Sequence, residues 1–167
     1  MGTNQRAQIV MSDDEVREFI EQSRTCTMAT VGPNGIPHLV AMWYGVIDGK
    51  IYFETKTKSQ KVANLNRDPS IACMIEAGDT YDQLRGITVE GTAHIISDTE
   101  DPEYWAAGVS VYERYNGPYT EETKSHVEMM LHKRVIVRID PVRVRSWDHR
   151  KLGMPQMPLA GTTAEFL

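Results

Sequence analysis

The residues best suited to chemistry lie in the stretch 55–61, T-K-T-K-S-Q-K, where hydroxyl and ammonium groups are concentrated. The stretch follows a predicted strand, Lys50–Thr55, and begins a predicted helix in which Thr57 is the N-cap and Gln60 completes a capping box. A helix N-terminus carries unpaired N–H groups and a partial positive charge, so this helix start predicts a site for an anion such as phosphate. The alternative is a solvated, lysine-rich helix start that holds no ligand. The predicted anchor consists of Thr55, Ser59 and Lys61, with Lys58 one turn before Lys61.

Composition narrows the class of protein. A chain of 167 residues is long enough for one domain with its own core, and a net charge of −5 argues against a general nucleic-acid binder. Cys26 and Cys73 lie in apolar, strand-like runs, which predicts buried thiols in a reducing compartment, the cytoplasm. His126 and His132 are six residues apart and not on one helical face, so we expect no metal site there. We also expect no membrane span, because no apolar run is long enough.

Alternating and helical patterns predict a mainly β protein with inserted helices. Six strands are predicted, at Thr25–Val31, Pro37–Ile47, Lys50–Thr55, Ser70–Glu76, Arg85–Ser97 and Arg134–Arg145. Besides the helix after Thr57, helices are predicted at Asp13–Ser23, Asp101–Tyr115 and Thr120–His132. Short turns between strands favour an antiparallel barrel, closed or nearly closed. We divide the chain into a flexible arm, 1–11, a barrel domain, 12–152, and an extended tail, 153–167.

Two strand predictions carry detail. The run Pro37–Ile47 is apolar without alternation, which predicts that both of its faces are covered, and Gly45 within it predicts a close backbone approach or a bulge. In the last strand the apolar phase shifts by one residue after Asp140 and Pro141, which predicts a kink or bulge at the proline.

Three segments in order resemble a known family: Y-F-E-T, then K-S-Q-K-V-A-N-L-N-R-D-P, then I-T-V-E-G-T-A. They are similar to the flavin-binding split β-barrel proteins of the pyridoxamine 5'-phosphate oxidase superfamily. Within it, the chain looks most like the actinobacterial flavin- and deazaflavin-dependent oxidoreductases. The resemblance runs from about Thr25 to Trp147. It implies a six-stranded antiparallel split β-barrel that forms a homodimer, with cofactors in the grooves between subunits.

The family's phosphate motif falls on Ser59, Gln60 and Lys61, where Gln60 replaces a basic residue. The flavin-facing strand falls on 38–43, where His38 and Trp43 stand in place of the arginine and lysine typical of the oxidases. These departures argue against pyridoxamine phosphate as substrate and favour coenzyme F-420 over FMN. The resemblance implies that the anionic tail of that larger cofactor is held by Lys56, Lys58 and Arg67.

The resemblance also implies a flat apolar slot for the ring, formed by Val40, Ala41, Met42 and Trp43, although ordinary core and dimer packing would explain the same residues. His38 is the candidate proton donor to substrate, with Tyr44 as a weaker candidate. Two residues would reach the partner's groove, Arg85 and Trp147, unless they serve only as surface groups.

Three functions follow from these expectations. The first is an oxidoreductase that transfers a hydride from reduced F-420 to a small unsaturated or quinone-like substrate. The second is an FMN-dependent oxidase or reductase. The third is a non-catalytic carrier of flavin or haem, with His38 or His94 as the haem ligand.

Overall fold

Seven strands form one antiparallel sheet in the order β2-β1-β5-β6-β7-β4-β3. The computed structural model describes residues 5–159. The strands are β1 (Cys26–Val31), β2 (Pro37–Met42), β3 (Gly45–Ile47), β4 (Lys50–Lys56), β5 (Ser70–Ala77), β6 (Arg85–Ile96) and β7 (Arg134–Asp148). The helices are α1 (Gln5–Ile9), α2 (Asp13–Gln22), α3 (Gln60–Arg67), α4 (Pro102–Asn116) and α5 (Lys124–Leu131). Short 3-10 turns precede α5, at Glu121–Thr123, and follow β7, at His149–Leu152.

The mainly β prediction is confirmed, but the strand count of six is wrong. The run Pro37–Ile47 forms two strands because the chain leaves the sheet at Trp43 and Tyr44. The Tyr44 side chain is fully buried, and its hydroxyl donates to the carbonyl oxygens of Ile20 at 2.7 Å and Ser23 at 3.1 Å. Burial raises the pKa of Tyr44 well above its usual range, so this hydroxyl is a structural group rather than a proton donor to substrate.

The two faces of β2 differ, which the lack of alternation did not predict. Within this chain one face is exposed, whereas the other is half-buried against the barrel core. The exposed face carries Pro37, Leu39 and Ala41, and the half-buried face carries His38, Val40 and Met42. The prediction that both faces are covered is therefore wrong for the isolated protomer.

The long β6–β7 pair curls the sheet. Its register shifts between Glu90 and Gly91, opposite Pro141, which confirms the predicted irregularity at the proline. A Cβ at Gly91 would lie 2.3 Å from the Asp140 carbonyl oxygen, so only glycine allows the strands to approach so closely there. Gly45 has the same role against α4, where a Cβ would lie 2.9 Å from the Ser110 hydroxyl oxygen.

Apolar side chains pack on both faces of the curled sheet. The inner face encloses the barrel core, which includes Met28, Phe53, Ile75 and Ile87, with α2 and α3 packed against it. On the outer face, α4 and α5 cover β4 and β7 through a second cluster that includes Tyr52, Tyr104, Ala107, Val127, Leu131 and Ile136. The two layers leave the outer face of β2, β1 and β5 without a covering element among residues 5–159.

Several smaller expectations can be compared with the structure. The two cysteines are buried and free, and hydrogen bonding with Cys73 together with burial raises the pKa of the Cys26 thiol. Within residues 5–159, no helix is long and apolar enough to cross a membrane. The segment that we expected to be an arm contains α1, and the tail is free of helix and strand from 153 to 159, while residues 160–167 lie outside the described part.

Tyr44→Phe should destabilise the fold by about 1 kcal/mol, because a buried hydroxyl that donates to the Ile20 and Ser23 carbonyl oxygens is lost, while Arg114 Nη2 still donates to both oxygens. Urea unfolding of the variant measures this change. Tyr119→Phe is the matched control, since its exposed hydroxyl only contacts Glu121 at 3.3 Å. Equal losses of stability in the two variants would contradict the structural role of Tyr44.

Candidate functional site

The open end of the barrel lies between β2 and the second half of β4. β3 pairs only with residues 50–52 of β4, so Phe53–Lys56 has a sheet neighbour on the β7 side alone. β2 likewise pairs only with β1, which leaves its other backbone edge without a strand. The helix α3 follows β4 in the chain and packs against β1, the sheet neighbour of β2. The sheet is therefore split where the anion site was predicted.

The helix α3 begins two residues later than predicted. Its N-cap is Ser59, whose hydroxyl accepts from the Val62 N–H at 3.4 Å and lies 3.4 Å from the Thr55 hydroxyl. Thr57 is not the cap, because its N–H and hydroxyl both donate to the Lys133 carbonyl oxygen, at 3.0 and 3.1 Å. These two bonds tie the end of β4 to the start of β7. Gln60 consequently completes no capping box with Thr57.

Arg134 joins the predicted anchor, and the sequence reading missed it. It is the first residue of β7 and pairs with Lys56 in the β4–β7 register. Burial lowers the pKa of Lys61, and the positive charge of Arg134 lowers it further. Because Arg134 lies opposite Lys56, just before the Ser59 N-cap, its charge belongs to the same corner of the molecule as Lys61. Lys56 and Lys58 are exposed, and their side chains make no ion pair or hydrogen bond within residues 5–159.

Glu54 adds a buried acid to the same corner. Its side chain is mostly buried, and Oε2 lies 3.7 Å from Arg134 Nε without any hydrogen bond to a described residue. Burial raises the pKa of Glu54, while the charge of Arg134 acts in the opposite direction. The distance is that of a loose ion pair, so Glu54 leaves the donors of Arg134 largely free for a ligand.

His38 lies across β1 from α3 and carries a nitrogen without a partner. It pairs with Thr30, and its Nδ1 is buried without a hydrogen bond to any described residue. The Thr30 hydroxyl already accepts from Asn64 Nδ2 at 3.0 Å, and Asn64 Oδ1 accepts from Gln60 Nε2 at 2.8 Å. The side chain of Gln60 therefore holds Asn64 rather than capping the helix. Buried polar atoms are normally hydrogen-bonded, so His38 Nδ1 requires a partner other than the described residues, such as water, an ion or a ligand.

The predicted ring slot is not a single side-chain surface. Val40 and Met42 point towards the barrel core, whereas Ala41 lies on the exposed face. Only the backbone edge of β2 is available along its whole length, so any ring in this gap would meet that edge. The resemblance implied that these residues form a flat slot for a ring. In the structure the side chains of Val40 and Met42 face one side of β2 and that of Ala41 faces the other, so they do not line one surface together.

Trp43 ends the slot as part of an aromatic pair. Its ring is stacked on Tyr115 with centroids 4.2 Å apart and planes at 6°, and the residue remains 57% exposed. The Tyr115 hydroxyl donates to the Arg24 carbonyl oxygen at 2.6 Å and accepts from the Tyr44 N–H at 3.0 Å. Tyr115 therefore fixes the indole, a role that no local pattern in the sequence indicates.

Arg85 and Trp147 are at the other end of the β6–β7 pair. Arg85 pairs with Asp148, and Gly86 pairs with Trp147, whose indole would lie 2.4 Å from a Cβ at Gly86. Roughly 40 Å of strand separates Trp147 from Arg134 along β7, at about 3.3 Å per residue. The structure therefore does not bring Arg85 and Trp147 to the anion site of their own protomer.

Comparison with known proteins places this geometry in a family. A family model described as pyridoxamine 5'-phosphate oxidase matches residues 12–148. The chain belongs to the pyridoxamine 5'-phosphate oxidase family. Membership accounts for the curled antiparallel sheet and its helices. A comparison with curated proteins returned no match.

Solved structures with the same fold come from several proteins. A conserved hypothetical protein of Mycobacterium tuberculosis is 57% identical over 96% of this chain and 99% of its own, with a TM-score of 0.90. An F420 reductase is 28% identical over 77% of this chain and 94% of its own, with a TM-score of 0.55. A heme binding protein of Mycobacterium smegmatis is 17% identical over 81% of this chain and 57% of its own, with a TM-score of 0.59. At that identity the last similarity shows the fold alone.

Arg134→Gln should raise the pKa of Lys61, because removal of a neighbouring positive charge stabilises the ammonium form. An NMR titration of the lysine side-chain resonances measures the shift directly. Arg145→Gln is the matched control, since Arg145 lies on the other half of β7 and pairs there with Glu90 of β6. An unchanged Lys61 titration in Arg134→Gln would show that the two cations do not act on each other.

Proposed function

We propose that this protein is an oxidoreductase that binds coenzyme F-420 in a groove between two subunits. It transfers a hydride to a small unsaturated or quinone-like substrate. The observation that carries the proposal is the position of Arg134, which pairs with Lys56 in the β4–β7 register and so lies by the Ser59 N-cap of α3, at the open edge of the split barrel. Similarity to an F420 reductase at 28% identity supports the choice of cofactor.

The residues at the split fit such a cofactor. Ser59, Lys61 and Arg134 would hold its phosphate, since a helix N-terminus and two cations converge there. The free edge of β2 would hold the ring, with Trp43 at its end. The Nδ1 atom of His38, which is buried without a partner, offers a donor or acceptor in the same gap.

The anionic tail of F-420 would extend along Lys56 and Lys58, whose ammonium groups are exposed beyond the phosphate anchor. Arg67, the third expected tail residue, already donates to the Val31 carbonyl oxygen and is the weaker contributor. Tail contacts of this kind would use the local basic cluster of Lys56, Lys58 and Lys61 in a chain whose net charge is −5.

Once bound, the deazaflavin supplies the hydride chemistry, and the chain has other tasks. Lys61 and Arg134 would bind the phosphate of the cofactor. The β2 edge and Trp43 would orient its ring, and the apolar residues of the gap would exclude water. His38 would hold or deliver a proton at Nδ1 or Nε2, since either ring nitrogen of an imidazole can carry one.

A second copy of the chain would complete the groove. The uncovered outer face carries two exposed apolar side chains, Leu39 at 63% and Val142 at 81% exposure. An apolar depression of about 420 Å³ crosses this face from Pro37 on β2 to Val142 on β7. Exposed apolar surface of this kind marks an interaction face. Arg85 and Trp147 are too far from the anchor of their own protomer, so they would contact a cofactor held by the second copy. The free, buried cysteines fit a reducing compartment, and we place the dimer in the cytoplasm.

FMN is the second candidate, and the family assignment itself favours it. Both cofactors present a phosphate to the same anchor, so they differ in what lies beyond it. The lysines at 56 and 58 would contribute to F-420 binding and little to FMN binding. Titration of one preparation with F-420, FMN and haem compares all three expected ligands, because haem would show a Soret band.

Lys61→Ala should weaken F-420 binding about 10- to 100-fold, equivalent to roughly 1.5–3 kcal/mol for a charge-assisted hydrogen bond. Fluorescence titration with the cofactor measures the affinity. Lys124→Ala removes the same charge from an exposed position on α5 and should leave the affinity unchanged. An affinity that is equal in both variants would remove the anchor on which the proposal depends.

His38→Gln should lower turnover with reduced F-420 by about 10²-fold or more, the usual contribution of a positioned acid or base. Binding of the cofactor should change far less, because the phosphate anchor is intact. Steady-state kinetics together with the fluorescence titration separates the two effects. A normal turnover number would show that His38 carries no proton for the reaction.

A further inference from the structure

Glu54 is an acid that lies beside the cations of the proposed anchor. Lys56 pairs with Arg134 in the β4–β7 register, so Glu54, which precedes Lys56 on the same side of β4, is a diagonal neighbour of Arg134 on one face of the sheet. Glu54 Oε2 lies 3.7 Å from Arg134 Nε, and the Glu54 side chain is only 11% exposed. A negative charge is thus fixed next to a cation that the proposed cofactor would use.

The Oε2 atom of Glu54 is buried, yet it accepts no hydrogen bond from any described residue. Burial and the charge of Glu54 raise the pKa of Tyr104, so these two side chains are close together. The Tyr104 hydroxyl nevertheless lies 3.1 Å from each of two other acceptors, the carbonyl oxygens of Leu131 and Arg134. The distance of 3.7 Å to Arg134 Nε is also longer than a hydrogen bond. Glu54 therefore places a charge beside Arg134 without occupying its donors.

The charge of Glu54 lowers the positive potential of the anchor. A guanidinium is small, so a phosphate bound to Arg134 would lie within about 8 Å of Glu54, the distance over which charges act at physiological ionic strength. The attraction of an anion to the site grows in proportion to its charge, whereas the cost of withdrawing it from water grows as the square of that charge. A site with less positive charge therefore favours an anion with a single charge over an anion with a double charge.

We propose that Glu54 makes the anchor select a phosphate diester, which carries a single negative charge, over a phosphate monoester, which is close to doubly charged at neutral pH. The inference rests on the proposed function, since it concerns the phosphate that Ser59, Lys61 and Arg134 would hold. F-420 contains a diester and FMN contains a monoester. Glu54 thus discriminates between the two cofactors at the phosphate itself, in addition to the lysines that would hold the tail of F-420.

Fluorescence titration of the cofactor-free full chain with two flavins tests this selection. FMN is the monoester, and riboflavin cyclic phosphate carries the same ring and a phosphate diester. At about pH 8 the monoester carries both charges, because its second pKa is about 6, and this pH also favours the ionised form of Glu54. Glu54→Gln should strengthen binding of the cyclic diester about threefold and binding of FMN about tenfold, because the repulsion that it removes doubles with the charge of the ligand.

Two further variants control for stability and for charge in general. Glu54→Met removes the same carboxylate and fills its space with an apolar side chain, so it should give the same two gains and keeps the test valid if Glu54→Gln is unstable. Glu122→Gln removes a negative charge from an exposed position in the 3-10 turn before α5 and should change neither affinity. Thermal melting of each variant shows whether it is folded.

Equal gains for the two flavins, a loss of FMN affinity in both Glu54 variants, or no binding of either flavin would overturn the selection. The F-420 titration distinguishes this outcome from failure of the proposed function. If F-420 binds and the two gains are equal, the cofactor proposal stands and the role of Glu54 is wrong. If the gains differ as expected and F-420 does not bind, the anchor still selects a diester, and the choice of F-420 is wrong.

Discussion

The hydrogen bonds from Thr57 to the Lys133 carbonyl oxygen are the constraint on which the corner with the proposed anion anchor depends. They fix the end of β4 on the start of β7 and so place Arg134 beside the N-terminus of α3. The same end of β4 has no strand on its other side, because β3 stops pairing at Tyr52. The positive charge of Arg134 and the unpaired backbone edge of β4 therefore lie at the same corner. The rest of the fold packs around that corner on both faces of the sheet.

Local signals in the sequence were sufficient for most of the elements. The S-D-D-E segment predicts the start of α2, and Ser12 and Glu15 form the expected reciprocal cap at 3.3 and 2.6 Å. The proline after Asp140 predicts the bulge, and Gly45 predicts the close approach of α4. Each of these depends on residues near one another in the chain. The shift of the α3 cap from Thr57 to Ser59 shows the limit, since a distant carbonyl oxygen competes for Thr57.

The parts of the site that the sequence did not reveal all depend on long-range register. Arg134 acts on Lys61 only because β4 and β7 are adjacent, and no spacing in the sequence encodes that contact. Tyr115 of α4 stacks on Trp43, and its hydroxyl is hydrogen-bonded to the backbone of Arg24 and Tyr44. Apolar content predicted the burial of β2 too strongly, because hydropathy cannot distinguish a core face from a face that another subunit would cover.

Two arginines of β7 show how the fold uses positive charge in different ways. Arg138 is held tightly, at 2.7 Å by Glu103 and at 2.9 Å by Asp140, and so fixes α4 on the sheet. Arg134 has only a loose ion pair with Glu54, at 3.7 Å, although it lies at the corner where α3 begins. Cations that are partly withdrawn from water cost free energy unless an anion joins them. The tightly paired arginine therefore holds elements of the fold together, whereas the loosely paired one keeps donors for the proposed anion.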